Sequence, residues 1–385
     1  MIYFFWISLG LIVYTYFVYP ILVIQISRFF PKRTSDARAE YPYVTMVVPA
    51  YNEAEVLAEK IVNCQALAYP ADRIQFLFGS DGSSDSTNQI LEAIAHPQFQ
   101  VRIFPDREGK SAVLNKLVAE AGDGILLFSD ANSIYHPDAV QKLVSHFVDP
   151  NVGGVCGKLC LINPGGEPGG EGEGLYWRYE NWIKEAEGRI RSVISANGSI
   201  FAIRRELYEH LPAARPLNDD LWLTLKLLEK GAVVKFEPQA VAEEMTSPCM
   251  GGEFTRKIRI ASLNFNGLPE MVALFHPRYG FTALALFSHK LIRWLVPFLA
   301  LGVLVSNLAL LGKGELYTTA LIGQLVIYLS ALLGYLGDRW WDRSGPFLPF
   351  YYLAMINLAL MIGFWRSLTG NQARAWERVS HQQDI

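Results

Sequence analysis

The chain has 385 residues, 51% apolar and 18% charged, with 34 basic and 37 acidic side chains and a net charge of −3. An average soluble domain is roughly one-quarter charged, so this composition excludes wholesale disorder, and the near-balance of charge leaves no basic footprint for nucleic acid. The apolar residues are bunched at the two ends, as in a chain built for two solvents. The four cysteines, Cys64, Cys156, Cys160 and Cys249, show neither disulfide-framework nor zinc-site spacing and are expected as reduced core thiols.

In chain order, Met1 to Ile26 carries no charged side chain. That is long enough for a spanning helix, which needs about 20 residues, and residues 1–27 are read as one. It lacks the basic start and small-residue cleavage site of a removable signal. Arg28, Lys32, Arg33 and Arg38 follow, and the positive-inside bias puts what comes after them in the cytoplasm and the N-terminus outside.

Residues 41–252 read as one cytoplasmic domain. Strands are expected at Val44–Val48, Ile74–Phe78, Val101–Phe104 and Ile125–Phe128, and helices at Glu53–Leu67, Asp85–Ala95 and Lys110–Ala121. Such alternation predicts an α/β fold, a parallel sheet with helices on both faces and ligands at the carboxyl ends of its strands. The turns there are polar: Pro49-Ala50-Tyr51-Asn52-Glu53 after the first strand and Gly79-Ser80-Asp81-Gly82-Ser83-Ser84-Asp85 after the second. Asp85 suits a helix N-cap, whereas Asp81 precedes any capping position and is better placed to bind a ligand.

After the fourth strand, Ser129-Asp130-Ala131-Asn132 offers hard oxygen ligands for Mg²⁺ or Mn²⁺, or else forms a plain Asx turn. Asn163 to Gly174, rich in Gly, Pro and Glu, is expected as a mobile loop. Tyr176, Trp177, Tyr179 and Trp182 crowd the next helix, as sugar-stacking aromatics or as ordinary packing. Ser195 to Ser199, with Gly198, forms a small-residue turn suited to close approach by an acceptor. Asp219-Asp220 opens a helix, where the dipole favours carboxylates. If one of them points into the mouth of the sheet it is a general-base candidate.

Residues 253–294 read as an amphipathic interface segment. Its basic stretch, Arg256-Lys257-Ile258-Arg259, suits either a leaving diphosphate or lipid headgroups. Residues 295–368 hold three apolar stretches, about Leu295–Leu311, Leu316–Leu336 and Pro346–Trp365, before a polar tail, 369–385. His289, Lys290 and Arg293 precede the first stretch, and Arg339 and Arg343 separate the last two, as cytoplasmic flanks would. Three crossings, however, put Arg374 and Arg378 of the tail outside, against that bias, unless one segment is re-entrant or lies in the interface.

The order of these motifs resembles the membrane-bound family 2 glycosyltransferases, relatives of the cellulose, hyaluronan and chitin synthases. The motifs are an N-terminal span, Val-Pro-Ala-Tyr-Asn-Glu, Asp-Gly-Ser-Ser-Asp, a Gly-Lys pair opening the third helix, Ser-Asp-Ala-Asn, and Asp-Asp-Leu before a helix. The resemblance covers about Val44 to Leu268 and implies the GT-A-like fold of nucleotide-diphospho-sugar transferases. It implies that Pro49, Tyr51 and Glu53 line the nucleotide pocket, that Asp81 bonds the nucleobase, and that Lys110 lies by the diphosphate. Asp130 and Asn132 would hold Mg²⁺ or Mn²⁺, with Asn132 where the family usually has Asp. Asp220 would be the base and Asp219 its companion. Arg256 and Arg259 would meet the diphosphate, and Gly198, Trp177 and Trp182 the acceptor. Arg256 and Ile260 replace the Gln and Trp of the processive synthases.

The expected activity is inverting transfer from a nucleotide sugar, with a UDP-sugar foremost, to a lipid or growing polysaccharide at the cytoplasmic face of the cell's inner membrane. Other classes are a transporter, disfavoured because no charged pair lies deep in a span, and a nucleotide-sugar-binding protein without turnover.

Overall fold

The computed structural model describes residues 1–31, 41–163, 168–212, 215–245, 250–341 and 345–370. Lys32, Arg33, Arg38, Cys249, Arg343, Arg374 and Arg378 lie outside the described residues. The sheet has eight strands: β1 (Val44–Ala50), β2 (Ile74–Asp81), β3 (Phe99–Phe104), β4 (Ile125–Phe128), β5 (Ile134–Tyr135), β6 (Val152–Ile162), β7 (Phe201–Arg204) and β8 (Val233–Met245), in the order β3-β2-β1-β4-β7-β6-β8-β5. The first four are parallel, as the alternating pattern predicts. Beyond them the sheet is mixed, because β7 runs antiparallel to both β4 and β6. Strand sense is set by the connection between strands and not by the period within one, so this reversal was not visible locally.

Every residue of β1 is buried. Val44, Met46 and Val48 enter one core with Leu57 and Cys64, while Val47 enters the other with Val113 and Leu117. That alternation is the two-faced burial a covered central strand requires. The covering helices include α2 (Ala54–Gln65), α4 (Lys110–Glu120) and α7 (Asp219–Glu229), with α1 (Ile2–Ser27), α3 (Thr87–Glu92), α5 (Ala139–Val144), α6 (Pro168–Ile190) and α8 (Met250–Asn266) completing the chain up to its C-terminal helices.

Glycine-rich residues 168–174, expected as a loop, form the first turns of α6. Burial of Glu173 against Arg256 and Lys257 helps to offset the poor intrinsic propensity of the segment. Helix α6 is held between the sheet and the apolar helices. Ile183 and Ala186 belong to the core, Tyr19 donates to Glu187 Oε1 at 2.7 Å, and Tyr179 donates to the Tyr16 carbonyl at 2.8 Å.

The C-terminal helices are α9 (Phe281–Ala309), α10 (Glu315–Trp341) and α11 (Leu348–Thr369). Together with α1 they make four helices long and apolar enough to cross a membrane by length and composition. Helix α9 starts at Phe281, not near Leu295, and so takes His289 and Arg293 into its body. The helix tolerates them because His289 contacts Glu187 at 2.8 Å and Glu180 at 3.0 Å, and Arg293 also pairs with Glu180.

Candidate active site

β1 and β4 are neighbours, yet the chain leaves β1 toward β2 on the other side. The crevice outside their carboxyl ends is therefore a topological switch point, where open α/β sheets bind ligands. The two turns at its rim are tied together. Asn52, at φ 54°, accepts the Ser84 N–H at 2.8 Å and gives its own N–H to Ser83 Oγ at 3.1 Å. Asp85 accepts from Thr87 N–H at 2.9 Å, as a cap would, and also from Ala54 N–H at 3.2 Å. Tyr51 lies under the Arg107 guanidinium at 3.8 Å, the Glu53 N–H bonds Thr87 Oγ1 at 2.8 Å, and Pro49 is buried within β1.

Asp81 is put to a use the sequence reading did not foresee. It is 0% exposed, and its two oxygens accept the N–H groups of Glu108 at 2.7 Å and Gly109 at 2.9 Å. The carboxylate thus braces the loop that opens α4 instead of lying open to a nucleobase. Gly82 completes this close approach, since a Cβ at its φ of +64° would lie 2.9 Å from the Arg107 nitrogen.

Lys110, the first residue of α4, joins two distant motifs: its ammonium is 2.8 Å from Asp130 Oδ1 and 3.1 Å from Asp219 Oδ2. Burial alone would lower the lysine pKa, but Asp130 and Asp219 outweigh it and hold the group above its ordinary value. Burial works equally against the Asp130 carboxylate, and the Lys110 ammonium holds it below the usual range. Ser199 donates to Asp130 Oδ2 at 3.0 Å. Asn132 is half-buried and makes no hydrogen bond among the described residues.

At the start of α7, Asp220 accepts the Gly198 N–H at 3.0 Å and the Leu221 N–H at 2.5 Å. Burial first, and then the adjacent Asp219 carboxylate, push Asp220 up to about 6. A Cβ on Gly198 would be 3.7 Å from Asp220 and 3.8 Å from the Lys110 ammonium, so this glycine lies against both.

The aromatic and basic candidates divide. Trp177 is half-buried beneath the Lys184 ammonium at 5.3 Å, and Lys184 in turn donates to Asn197 Oδ1, beside Gly198. Trp182 is 62% exposed and, five residues on, points away from that face. Arg256 is committed to Glu173 and Glu253, and Lys257 lies 3.0 Å from Glu253. Burial pulls Arg256 down to about 10. Arg259, by contrast, has no ion pair among the described residues and lies in the field of Asp219 and Asp130. Of the two arginines expected at the diphosphate, Arg256 also feels Asp130 but is paired with two glutamates, whereas Arg259 is not ion-paired among the described residues.

Sequence reasoning missed Lys60 and Glu244. Lys60 is 0% exposed and donates to Ser129 Oγ at 2.7 Å and to the Ser133 carbonyl at 2.5 Å, clamping both ends of the Asp130 turn. One signal was available: Leu57, Lys60 and Cys64 share the buried stripe of α2, where a lysine is out of place. Glu244, on β8, accepts from Ser133 Oγ and feels Asp130. No local pattern connects it to β4. Among the described residues no group of three His, Cys, Asp or Glu could hold a metal. A cation there would rest on Asp130, the Asn132 amide and solvent oxygens, a hard donor set compatible with Mg²⁺ or Mn²⁺.

Residues 45–211 match the family described as Glycosyl transferase family 2. The probable glycosyltransferase YdaM of Bacillus subtilis is 28% identical over 53% of this chain and 51% of its own length. The poly-beta-1,6-N-acetyl-D-glucosamine synthase of Staphylococcus aureus is 24% identical over 57% of this chain and 53% of its own. The chain thus spans about half the length of the curated relatives it matches. Among solved structures, the mannosyltransferase PcManGT of Pyrobaculum calidifontis, in complex with GDP-Man and Mn²⁺, aligns with a TM-score of 0.69 and 22% identity, over 95% of this chain and 99% of that one. The match to Glycosyl transferase family 2 thus lies in residues 45–211, and the likeness to PcManGT is one of fold.

Proposed function

We propose that the protein transfers a sugar, with inversion, from a nucleotide sugar to a hydroxyl-bearing lipid or growing polysaccharide at the cytoplasmic face of the cell membrane, and that the donor is a UDP-sugar. The observation that carries this reading is the convergence of Lys110, Asp130, Asp219 and Asp220 at the switch point. Asp220, pushed up to about 6, is suited to take the proton from an acceptor hydroxyl near neutral pH. The acceptor oxygen would approach over Gly198, with Trp177 behind it, and attack the anomeric carbon in line. Lys110 and Arg259 would face the departing diphosphate. Tyr51 and Glu53 would line the nucleotide pocket, with Asp81 fixing the loop beneath it.

Asp130 and Asn132 would hold Mg²⁺ or Mn²⁺, which when bound neutralises charge on the leaving diphosphate. The solved neighbour's Mn²⁺ and GDP-Man support a cation with a nucleoside diphosphate sugar in this fold. The test is a donor screen with membranes and purified protein, using UDP- and GDP-sugars with Mn²⁺, followed by solvent partition of the labelled product. Transfer lost in Asp220→Asn with donor binding kept is the expected result. An Asp220→Asn protein with near wild-type turnover overturns the assignment.

A further inference from the structure

We infer that α11 does not cross the bilayer: it lies along its cytoplasmic interface with one face on the catalytic domain and the other in lipid, so that only α1, α9 and α10 span. Both ends of α11 are bound to α8. Near its start, the Tyr352 hydroxyl donates to Glu253 Oε1 at 3.2 Å, in the cluster that holds Arg256 and Lys257. At mid-helix, a Cβ on Gly363 would be 2.5 Å from Ala261 Cβ and 2.8 Å from the Ser262 nitrogen, so the backbones nearly touch. Near its end, Ser367 Oγ donates to Asn266 Oδ1 at 2.7 Å.

Tyr352 and Ser367 are separated by roughly 22 Å of helix axis at 1.5 Å per residue. A helix crossing a hydrocarbon core of about 30 Å cannot keep both on one soluble domain. Helix α8 is held on that domain. Asn266 donates to the Pro216 carbonyl at 2.9 Å and its own carbonyl accepts from Arg215, and Asn264 meets Asn218 at 3.2 Å. If α11 spanned from the catalytic side, its far end would carry Asn266 across the hydrocarbon, and with it Arg215 and its partner Glu270, where charges are costly.

The opposite face of α11 is built for lipid. Phe350, Leu353, Leu358, Trp365 and Leu368 are exposed along it, Trp365 at 66%, while Leu348, Tyr352, Met355, Ala359 and Gly363 are buried on the inner side. An apolar stripe containing an outward indole, with Arg366 beside it, is the pattern of a helix lying at headgroup level. This assignment also removes the charge conflict seen in the sequence. After an even number of crossings by α9 and α10 the chain returns to the catalytic side, and Arg374 and Arg378 follow the positive-inside bias.

The test places an epitope after Gly370 and a second, separately, between Gly312 and Gly314, in full-length protein in sealed inside-out vesicles. On protease treatment the Gly370 epitope is expected to be lost together with the catalytic domain, and the epitope near Gly312 to be protected. Protection of the Gly370 epitope while the catalytic domain is digested overturns the inference. As a second measurement, Ser367→Cys with Asn266→Cys should form a disulfide on mild oxidation of intact membranes, and failure of this pair to cross-link while the protein remains active also overturns it. Neither readout depends on the sugar, the acceptor or turnover.

Discussion

Gly198 presents its backbone N–H to Asp220 Oδ2 at 3.0 Å, so the small-residue turn and the acidic helix start, which the chain separates, act at one point. Only the ionised Asp220 can accept a proton, and burial with the Asp219 charge pushes it up to about 6. Turnover is therefore expected to fall as pH drops through about 6. Stability should respond in the opposite sense. The folded chain holds this proton more tightly than the unfolded one, so the contribution of Asp220 favours folding at low pH and is lost as pH rises from about 4 to about 6. In Asp220→Asn the rate should drop by about 10²–10⁴, and the melting temperature of the variant relative to wild type should rise as pH goes from about 4 to about 6. Rate and Tm measured across pH check both.

Lys110→Met leaves Asp130 and Asp219 without their shared ammonium. A charge-assisted contact contributes about 1.5–3 kcal/mol, so donor affinity is expected to weaken by about tenfold or more, read by titration with a nucleoside diphosphate. Lys116→Met breaks a 2.5 Å pair with Glu108 at the surface and should leave that affinity unchanged.

Lys60→Met removes the donors that hold Ser129 and Ser133 while keeping the side-chain length. Partners that orient metal ligands are worth about 10–100-fold in metal affinity, and Mn²⁺ binding should weaken within that range. Asp130→Asn in the same titration gives the loss expected for a ligand itself. Wild-type Mn²⁺ affinity in Lys60→Met, alongside a clear loss in Asp130→Asn, would show that the buried ammonium serves packing alone.

His289→Leu strips the group between Glu180 and Glu187. Removing one member of a buried ionic cluster costs about 3–5 kcal/mol, so melting in detergent should shift down markedly. Arg102→Gln, which breaks an exposed pair with Glu120, should not move it measurably.

Much of the architecture was legible without coordinates. The apolar runs, the alternation of strands and helices up to Phe128, and the polar turns after β1, β2 and β4 follow from period and composition, which are local properties. The pairing of Asp219-Asp220 with the Asp130 turn was foreseen only through the ordered motifs. The roles of Lys60 and Glu244 were not, because a lone Lys on a helix and a Glu on a late strand carry no spacing that links them to Ser133.

The amino-acid sequence by itself determined which segments are apolar enough for lipid and which turns present carboxylates, since hydropathy and turn chemistry are written within about 20 residues of chain. Tertiary structure alone decided that Arg256 is paired with Glu173 and Glu253 while Arg259 is not ion-paired among the described residues, that Asp81 braces a loop, and that α11 rests on α8. Those outcomes depend on which distant groups compete for the same charge or the same apolar face, and the winner is known only once the chain has folded.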